Sequence, residues 1–159
     1  MRFFICFGTN RQFRSLEFAQ RLLWSEGRTI LKVGIIGGGR VGSRLAASLR
    51  EAGVLAGITA ASEQHSAQMA QQFGVSVTDN AKLWQAADVL LLTVPDRLIG
   101  TVAEELAQSV IPAAKVVLHV SGSVGLEPLA PLTQLGAHVG SLHPLQSFAG
   151  GNTQLAGVY

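Results

Sequence analysis

The chain is organised around Leu31-Lys32-Val33-Gly34-Ile35-Ile36-Gly37-Gly38-Gly39-Arg40-Val41-Gly42. A short apolar run ends in Gly37-x-Gly39-x-x-Gly42, and a helical pattern follows at once. This is the spacing at which a chain wraps the pyrophosphate of a dinucleotide. In that reading Gly37 makes the tight turn out of a strand. Gly39 lets the backbone approach the phosphates, and Gly42 lets the next helix pack close to the sheet. The helix start then aims unpaired N–H groups and the positive end of its dipole at the anion. Gly37, Gly38, Gly39, Arg40, Val41 and Gly42 are the expected cofactor-binding segment. A glycine-rich turn without a ligand would use the same letters. The strand before it and the helix after it favour the dinucleotide.

Outward from this turn, strands and helices alternate. Val41, Leu45 and Leu49 recur every four residues with Ala46 beside them, predicting a helix from Arg40 to about Ala52 with one face on a sheet. Gly53 suits its C-terminal end. Val54–Ala60 reads as a second strand. Ser62 would open a helix carrying Ala67, Ala70 and Phe73, closed by Gly74. Val75-Ser76-Val77 reads as a short third strand, and Asp79 or Asn80 would cap a brief helix with Leu83 and Trp84. Val89–Val94 is apolar on both faces, as in a central parallel strand covered on each side. Pro95 breaks it, and Asp96 is placed to cap a helix bearing Ile99, Val102, Ala103, Leu106 and Val110, which Pro112 closes. Lys115–Val120 is another buried strand. Ser121-Gly122-Ser123 turns the chain into a proline-interrupted helical region with Leu126, Leu129, Leu132 and Leu135. Ala137–Leu142 is the sixth strand. The pattern predicts an α/β fold with a doubly wound, mostly parallel sheet and strand order 3-2-1-4-5-6.

Length and composition set the frame. The 159 residues suggest one domain, and 48% hydrophobic against 14% charged residues suits a buried α/β sheet rather than a disordered chain. The net charge of +2 has no basic block behind it, so nucleic acid is not an expected partner. No apolar run reaches the length of a membrane span. The single cysteine, Cys6, excludes an internal disulfide framework, and no Cys/His group has zinc spacing, so no metal is expected. A reducing cytoplasm is the expected compartment. Phe3–Phe7 after Arg2 is too short for a signal peptide, and Arg11 and Arg14 follow too soon. Residues 1–30 form an N-terminal extension, either poorly ordered or carrying an accessory helix from Ser15 with Leu16, Ala19, Leu22 and Leu23. Residues 31–150 form the dinucleotide-binding domain, and Gly150-Gly151-Asn152-Thr153 reads as a loop or linker.

The second strand carries a hint about the nicotinamide cofactor. NAD sites usually place an acid at its tip, for the ribose hydroxyls. Here the tip reads Thr59-Ala60-Ala61-Ser62-Glu63, which is small and neutral up to Ser62. Nothing there repels a 2′-phosphate, Ser62 would donate to it or simply cap the helix, and Arg40 would offer a charge or sit in solvent. The reading is NADP(H) over NAD(H). Glu63 argues the other way if the strand ends one or two residues later.

The glycine turn combines with Val94-Pro95-Asp96-Arg97, with His119-Val120-Ser121-Gly122-Ser123, and with Ser141-Leu142-His143-Pro144-Leu145-Gln146-Ser147-Phe148. With these segments the chain resembles the N-terminal half of the Rossmann-like proteins that carry a C-terminal domain of unknown function numbered 2520. Those proteins are relatives of the ketopantoate reductase, pyrroline-carboxylate reductase and 3-hydroxyacid dehydrogenase superfamily. The resemblance covers residues 31–150, and the His-Pro-Leu-Gln-Ser-Phe run is its most specific part. It implies an NADP-dependent oxidoreductase acting on a small oxo or hydroxy acid, such as ketopantoate. It also implies an all-helical domain that closes the substrate cleft and forms most of a homodimer, with residues 151–159 its beginning or a tail. The alternative is a non-catalytic nucleotide-binding or sensing module without a substrate domain.

In open α/β sheets, ligands lie beyond the carboxyl ends of the strands. Val94 and Pro95 would wall the cofactor, while Asp96 reads as a helix cap. Ser121 and Gly122 would hold a substrate carboxylate, or make a plain turn. His143 is the candidate proton donor, because carbonyl reduction needs an acid beside the developing alkoxide and histidine titrates near neutrality. Its other reading is a loop-holding residue before Pro144. Ser121 and His143 are thus the expected catalytic pair, and Ser121, Gly122 and His143 the substrate contacts. His119, inside a strand, reads as a satisfied core residue, and His65 and His138 read as surface residues.

Overall fold

The computed structural model describes residues 31–76, 79–109 and 115–144, together with the backbone strand at 3–7; for residues 143 and 144 too it describes the backbone only. The six strands are β1 (Phe3–Phe7), β2 (Val33–Ile36), β3 (Leu55–Thr59), β4 (Val89–Leu92), β5 (Val116–His119) and β6 (His138–Pro144). The helices are α1 (Arg40–Glu51), α2 (Glu63–Phe73), α3 (Asn80–Ala86), α4 (Ile99–Ala107) and α5 (Ala130–Gln134), with 3₁₀ turns at Asp96–Leu98 and Glu127–Leu129. The sheet order is β1-β6-β5-β4-β2-β3. Strands β2 to β6 are parallel to their neighbours, and β1 lies antiparallel on the edge beside β6.

The doubly wound architecture follows from strands apolar on both faces. Along β4, Leu90 and Leu92 join Leu83, Trp84, Leu106 and Leu129 on one side. Val89 and Leu91 join Ile35, Leu45, Ile58 and Phe73 on the other. Two cores therefore sandwich the sheet, with α1 and α2 over one face and α3, α4 and α5 over the other.

Helix boundaries follow the local chemistry. Ser62 accepts from the His65 N–H at 3.2 Å, and Asp79 accepts from the Lys82 N–H at 2.7 Å, so each caps its helix. Gly74, at φ 64°, closes α2. That closure bears on the third strand expected at Val75-Ser76-Val77. Val75 and Ser76 are not in a strand, and Val77 lies outside the described residues. The Val75 N–H returns to Ala70 O at 2.9 Å and is thereby committed to the helix end, not to a ladder beside β3. Of the expected order, 2-1-4-5-6 forms. At the far edge the extension contributes β1. Its expected helix from Ser15 lies outside the described residues, as do Val110, Pro112, the run Leu145–Phe148, the loop Gly150–Thr153 and residues 151–159. The sixth strand extends two residues beyond expectation and takes in His143 and Pro144.

At the opposite end of the sheet from the strand carboxyl termini, Lys115 is buried and its ammonium donates to Gln85 O at 3.1 Å and to Ala87 O. The cation thus neutralises the carboxyl end of α3.

Candidate active site

The parallel registers align Ile36 with Thr59 and Leu92, Leu92 with His119, and His119 with Ser141. The segments that follow these residues therefore emerge at one edge. The order in which successive strands are laid down reverses between β2 and β4, with β3 outside β2 on one side and β5 outside β4 on the other, so the crevice of this parallel sheet opens above Ile36 and Leu92. The glycine turn stands at that point.

Each glycine there has a distinct job. Gly37 adopts φ 123°, which L side chains avoid, and a Cβ on it would also lie 2.6 Å from the Thr93 backbone. Gly42 brings α1 down onto the turn, where a Cβ would lie 1.9 Å from Gly37 O. Gly39 differs from both. A Cβ there would meet nothing within 4 Å, and its φ of −73° suits any residue. The protein itself does not require glycine at position 39. Open space above the N-terminus of a twelve-residue helix does, if an anion is to be approached by backbone alone. No side chain caps α1, and its first turn carries no acidic residue. The cradle fits a dinucleotide pyrophosphate.

Arg40 starts α1 and is exposed. Val41 is half-buried and packs on the α1 and α2 core, so only its backbone faces the turn region. Ser62 is exposed and serves as the α2 cap. Gly38 lies under the tip of β3. A Cβ there would meet the Ala60 methyl at 2.9 Å and the His65 ring at 3.3 Å, which brings His65 beside the turn. Ser66, buried, accepts from the Ala60 N–H at 2.9 Å and locks that tip in place. His65 is exposed, as expected; its place beside the turn was not legible, because it arises from the angle at which α2 starts rather than from spacing.

Beyond β4, Val94 is half-buried against the α4 core, and Pro95 is exposed. Asp96 is not the side-chain cap expected of it: the 3₁₀ turn it opens has no side-chain cap. Its carboxylate instead accepts the Ser123 hydroxyl at 2.6 Å and so ties the β4 loop to the β5 loop. The hydroxyls of Ser123, and then of Ser121, hold the Asp96 carboxyl below the usual carboxylate range. With the Ser123 hydroxyl hydrogen directed at Asp96, the Ser121 hydroxyl has its own hydrogen to offer, shared between Ser123 Oγ at 3.3 Å and the Asp96 carboxylate. Ser121 Oγ also accepts the N–H groups of Ser123 and Val124, each at 3.2 Å. Its hydrogen and both lone pairs are in use, so Ser121 reaches a substrate only by exchanging one of these partners.

His119 is fully buried, and both ring nitrogens are engaged. Nδ1 accepts from the Ser121 N–H at 3.2 Å, which leaves Nε2 to donate to Gly125 O at 3.1 Å. Burial pushes its pKa down, partly offset by the Gly125 carbonyl. This is the satisfied core histidine expected from the sequence. Since the folded state holds its pKa below the 6.5 of the unfolded chain, the unfolded state binds more protons around and just below that pH. Stability should therefore fall as pH drops from 6.5 toward 5, by at most about 1.4 kcal/mol per pH unit. Thermal melts of wild type and His119→Gln over that window test this, the variant showing a flatter profile. The Asp96 contribution is lost only at lower pH, below its ordinary 3.8, and does not confuse the comparison.

His143 occupies β6, and its backbone is aligned with Phe4 of β1, two residues past the Ser141 level. Of its side chain the structure describes nothing. Among the described residues there is no group of three or more metal-ligating side chains, and no helix is long and apolar enough to cross a membrane.

A family model for the Rossmann-like domain matches residues 25–144, and the chain belongs to this family. No curated protein matches it. Among solved structures, a Bacteroides fragilis protein described as an NADP oxidoreductase aligns with TM-score 0.61 at 19% identity, covering 75% of this chain and 45% of that one. A pyrroline-5-carboxylate reductase from Coxiella burnetii aligns with TM-score 0.57 at 24% identity, over 70% and 43%. A 3-hydroxyisobutyrate dehydrogenase from Mycobacterium tuberculosis gives 0.60 at 18%, over 70% and 39%. These likenesses establish the fold. The chain spans less than half the length of each of these proteins.

Proposed function

We propose that the chain is the NADP(H)-binding domain of an oxidoreductase that moves hydride to or from a small oxo or hydroxy acid. The observation that carries this reading is the glycine turn. It is closed against its own protein at Gly37 and Gly42 and open only at Gly39, above an uncapped helix N-terminus. The three solved relatives, whose names describe oxidoreductases, support the class. Gly37 to Gly42 would hold the pyrophosphate through backbone N–H groups, with Val94 and Pro95 as the wall beside the nicotinamide ribose. Arg40 and Ser62 would bind the 2′-phosphate, Ser62 keeping its hydroxyl hydrogen to donate while its oxygen caps α2. The bound nicotinamide supplies or accepts the hydride. Gly122 and Ser121 would orient the substrate carboxylate, Ser121 giving up its contact with Ser123 to do so. His143 would give or take the proton at the carbonyl oxygen. A substrate-closing helical domain and a homodimer belong to the same proposal, as does a cytoplasmic location.

Calorimetric titration with NADPH and NADH tests the cofactor assignment. Charge-assisted contacts to one extra phosphate predict NADPH binding tighter by about tenfold or more. Tighter NADH would overturn it. Saturable binding without NADPH oxidation by any small oxo acid would favour the non-catalytic nucleotide-binding module.

A further inference from the structure

The turn that faces the crevice is held from both neighbouring strands. From the β3 side, Thr59 O accepts the Gly37 N–H at 2.9 Å. From the β4 side, Thr93 Oγ1 donates to Gly37 O at 2.7 Å, with Ile36 O a second, longer neighbour at 3.3 Å. Thr93 is itself fixed, because its N–H donates to Ile36 O at 2.8 Å at the end of a central strand. The same hydroxyl lies where α1 approaches the turn: a Cβ on Gly42 would come within 2.6 Å of Thr93 Oγ1. Turn, helix start and β4 end therefore meet at one oxygen.

We propose that Thr93 is a positioning residue for the dinucleotide, its hydroxyl fixing the Gly37 carbonyl away from the anion site so that the α1 N–H groups face it. This inference rests on the reading that the glycine turn binds a dinucleotide. The physical reason is one of sign. A peptide carries a donor and an acceptor, and a carbonyl that swung toward the pyrophosphate would set a negative dipole against a negative ligand. Gly37, at φ 123° with no side chain, has the freedom to let its flanking peptide rotate. The Thr93 hydroxyl removes that freedom by satisfying the carbonyl on the protein side. A valine at 93 keeps the β-branched shape but replaces the donor with a methyl that must stand farther from Gly37 O. An alanine removes donor and bulk together, and a serine keeps the donor alone.

The test is NADPH affinity by calorimetry for wild type and for Thr93→Val, Thr93→Ala and Thr93→Ser, with melting temperature measured on each. Thr133→Val, which removes a hydroxyl from α5, is the control. The expected result is a loss of about tenfold in Thr93→Val, about three- to tenfold in Thr93→Ala, and restoration to within about twofold of wild type in Thr93→Ser. The control should bind as wild type. Unchanged affinity in Thr93→Val and Thr93→Ala overturns the proposal. So does an equal loss in all three variants tracking their melting temperatures, because packing rather than the hydroxyl would then be responsible. If wild type binds no NADPH at all, the fault lies in the nucleotide reading and not in the role of Thr93.

Discussion

A Gly42→Ala variant should be destabilised by about 3 kcal/mol, with a melting temperature lower by roughly 10 °C. The added methyl would lie 1.9 Å from Gly37 O and 2.6 Å from Thr93 Oγ1. Neither neighbour has room to give way. Gly37 O is a backbone atom in a turn held from both adjacent strands, and Thr93 ends a central strand whose residues from Val89 to Leu92 are all buried. Relief therefore requires α1 to lift from the sheet. That motion would open the core around Leu45 and Ala46, which are 7% and 0% exposed. Nucleotide affinity should fall as well, because the N–H groups of the first turn would move with the helix. Chemical denaturation checks the first claim, and a stability within about 0.5 kcal/mol of wild type would show that the close approach of α1 to the turn is wrong.

Gly39→Val should do the reverse. Its added atoms would meet nothing of the protein, and the backbone at φ −73° and ψ −176° accepts a β-branched residue. Losing glycine at a helix N-cap costs about 0.5–1 kcal/mol, so the melting temperature should fall by only a few degrees, far less than in Gly42→Ala. NADPH binding should fall by about a hundredfold or more, because the side chain fills the space through which phosphate reaches the backbone. The pair of variants separates the two reasons a glycine is required, one set by the protein's own packing and the other by a ligand. Unchanged affinity in Gly39→Val would place the dinucleotide elsewhere.

Much of the fold was legible in the sequence because it rests on short-range rules. The apolar runs at Val33–Ile36, Val89–Leu92 and Val116–His119, and the stripes on α1 and α4, report burial directly. Ser62, Asp79 and Gly74 mark helix ends by chemistry local to each end. The third strand expected at Val75-Ser76-Val77 is not seen over Val75 and Ser76, where a local signal meets a competing one: the α2 closure claims the Val75 N–H that a sheet would need, and Val77 lies outside the described residues. The site divides in the same way. The turn at Gly37 and the close approach of α1 at Gly42 were legible because the glycine spacing implies that local geometry directly. Thr93 was not, because its partner is 56 residues away in sequence and the letter appears only as one hydroxyl at the end of an apolar run. The bond from Ser123 to Asp96 is equally non-local, so Asp96 read as a helix cap when its carboxylate in fact joins two loops.

The proposed function places a dinucleotide on the backbone N–H groups that open α1. Amide-resolved NMR titration of the isotope-labelled chain with NADPH tests it most directly. Saturable shifts are expected, concentrated at Gly38 to Ser43, with smaller ones at Thr93 and at the Ala60–Ser62 tip. Absence of saturable shifts, or shifts concentrated at the opposite end of the sheet around Asp88 and Lys115, would contradict it.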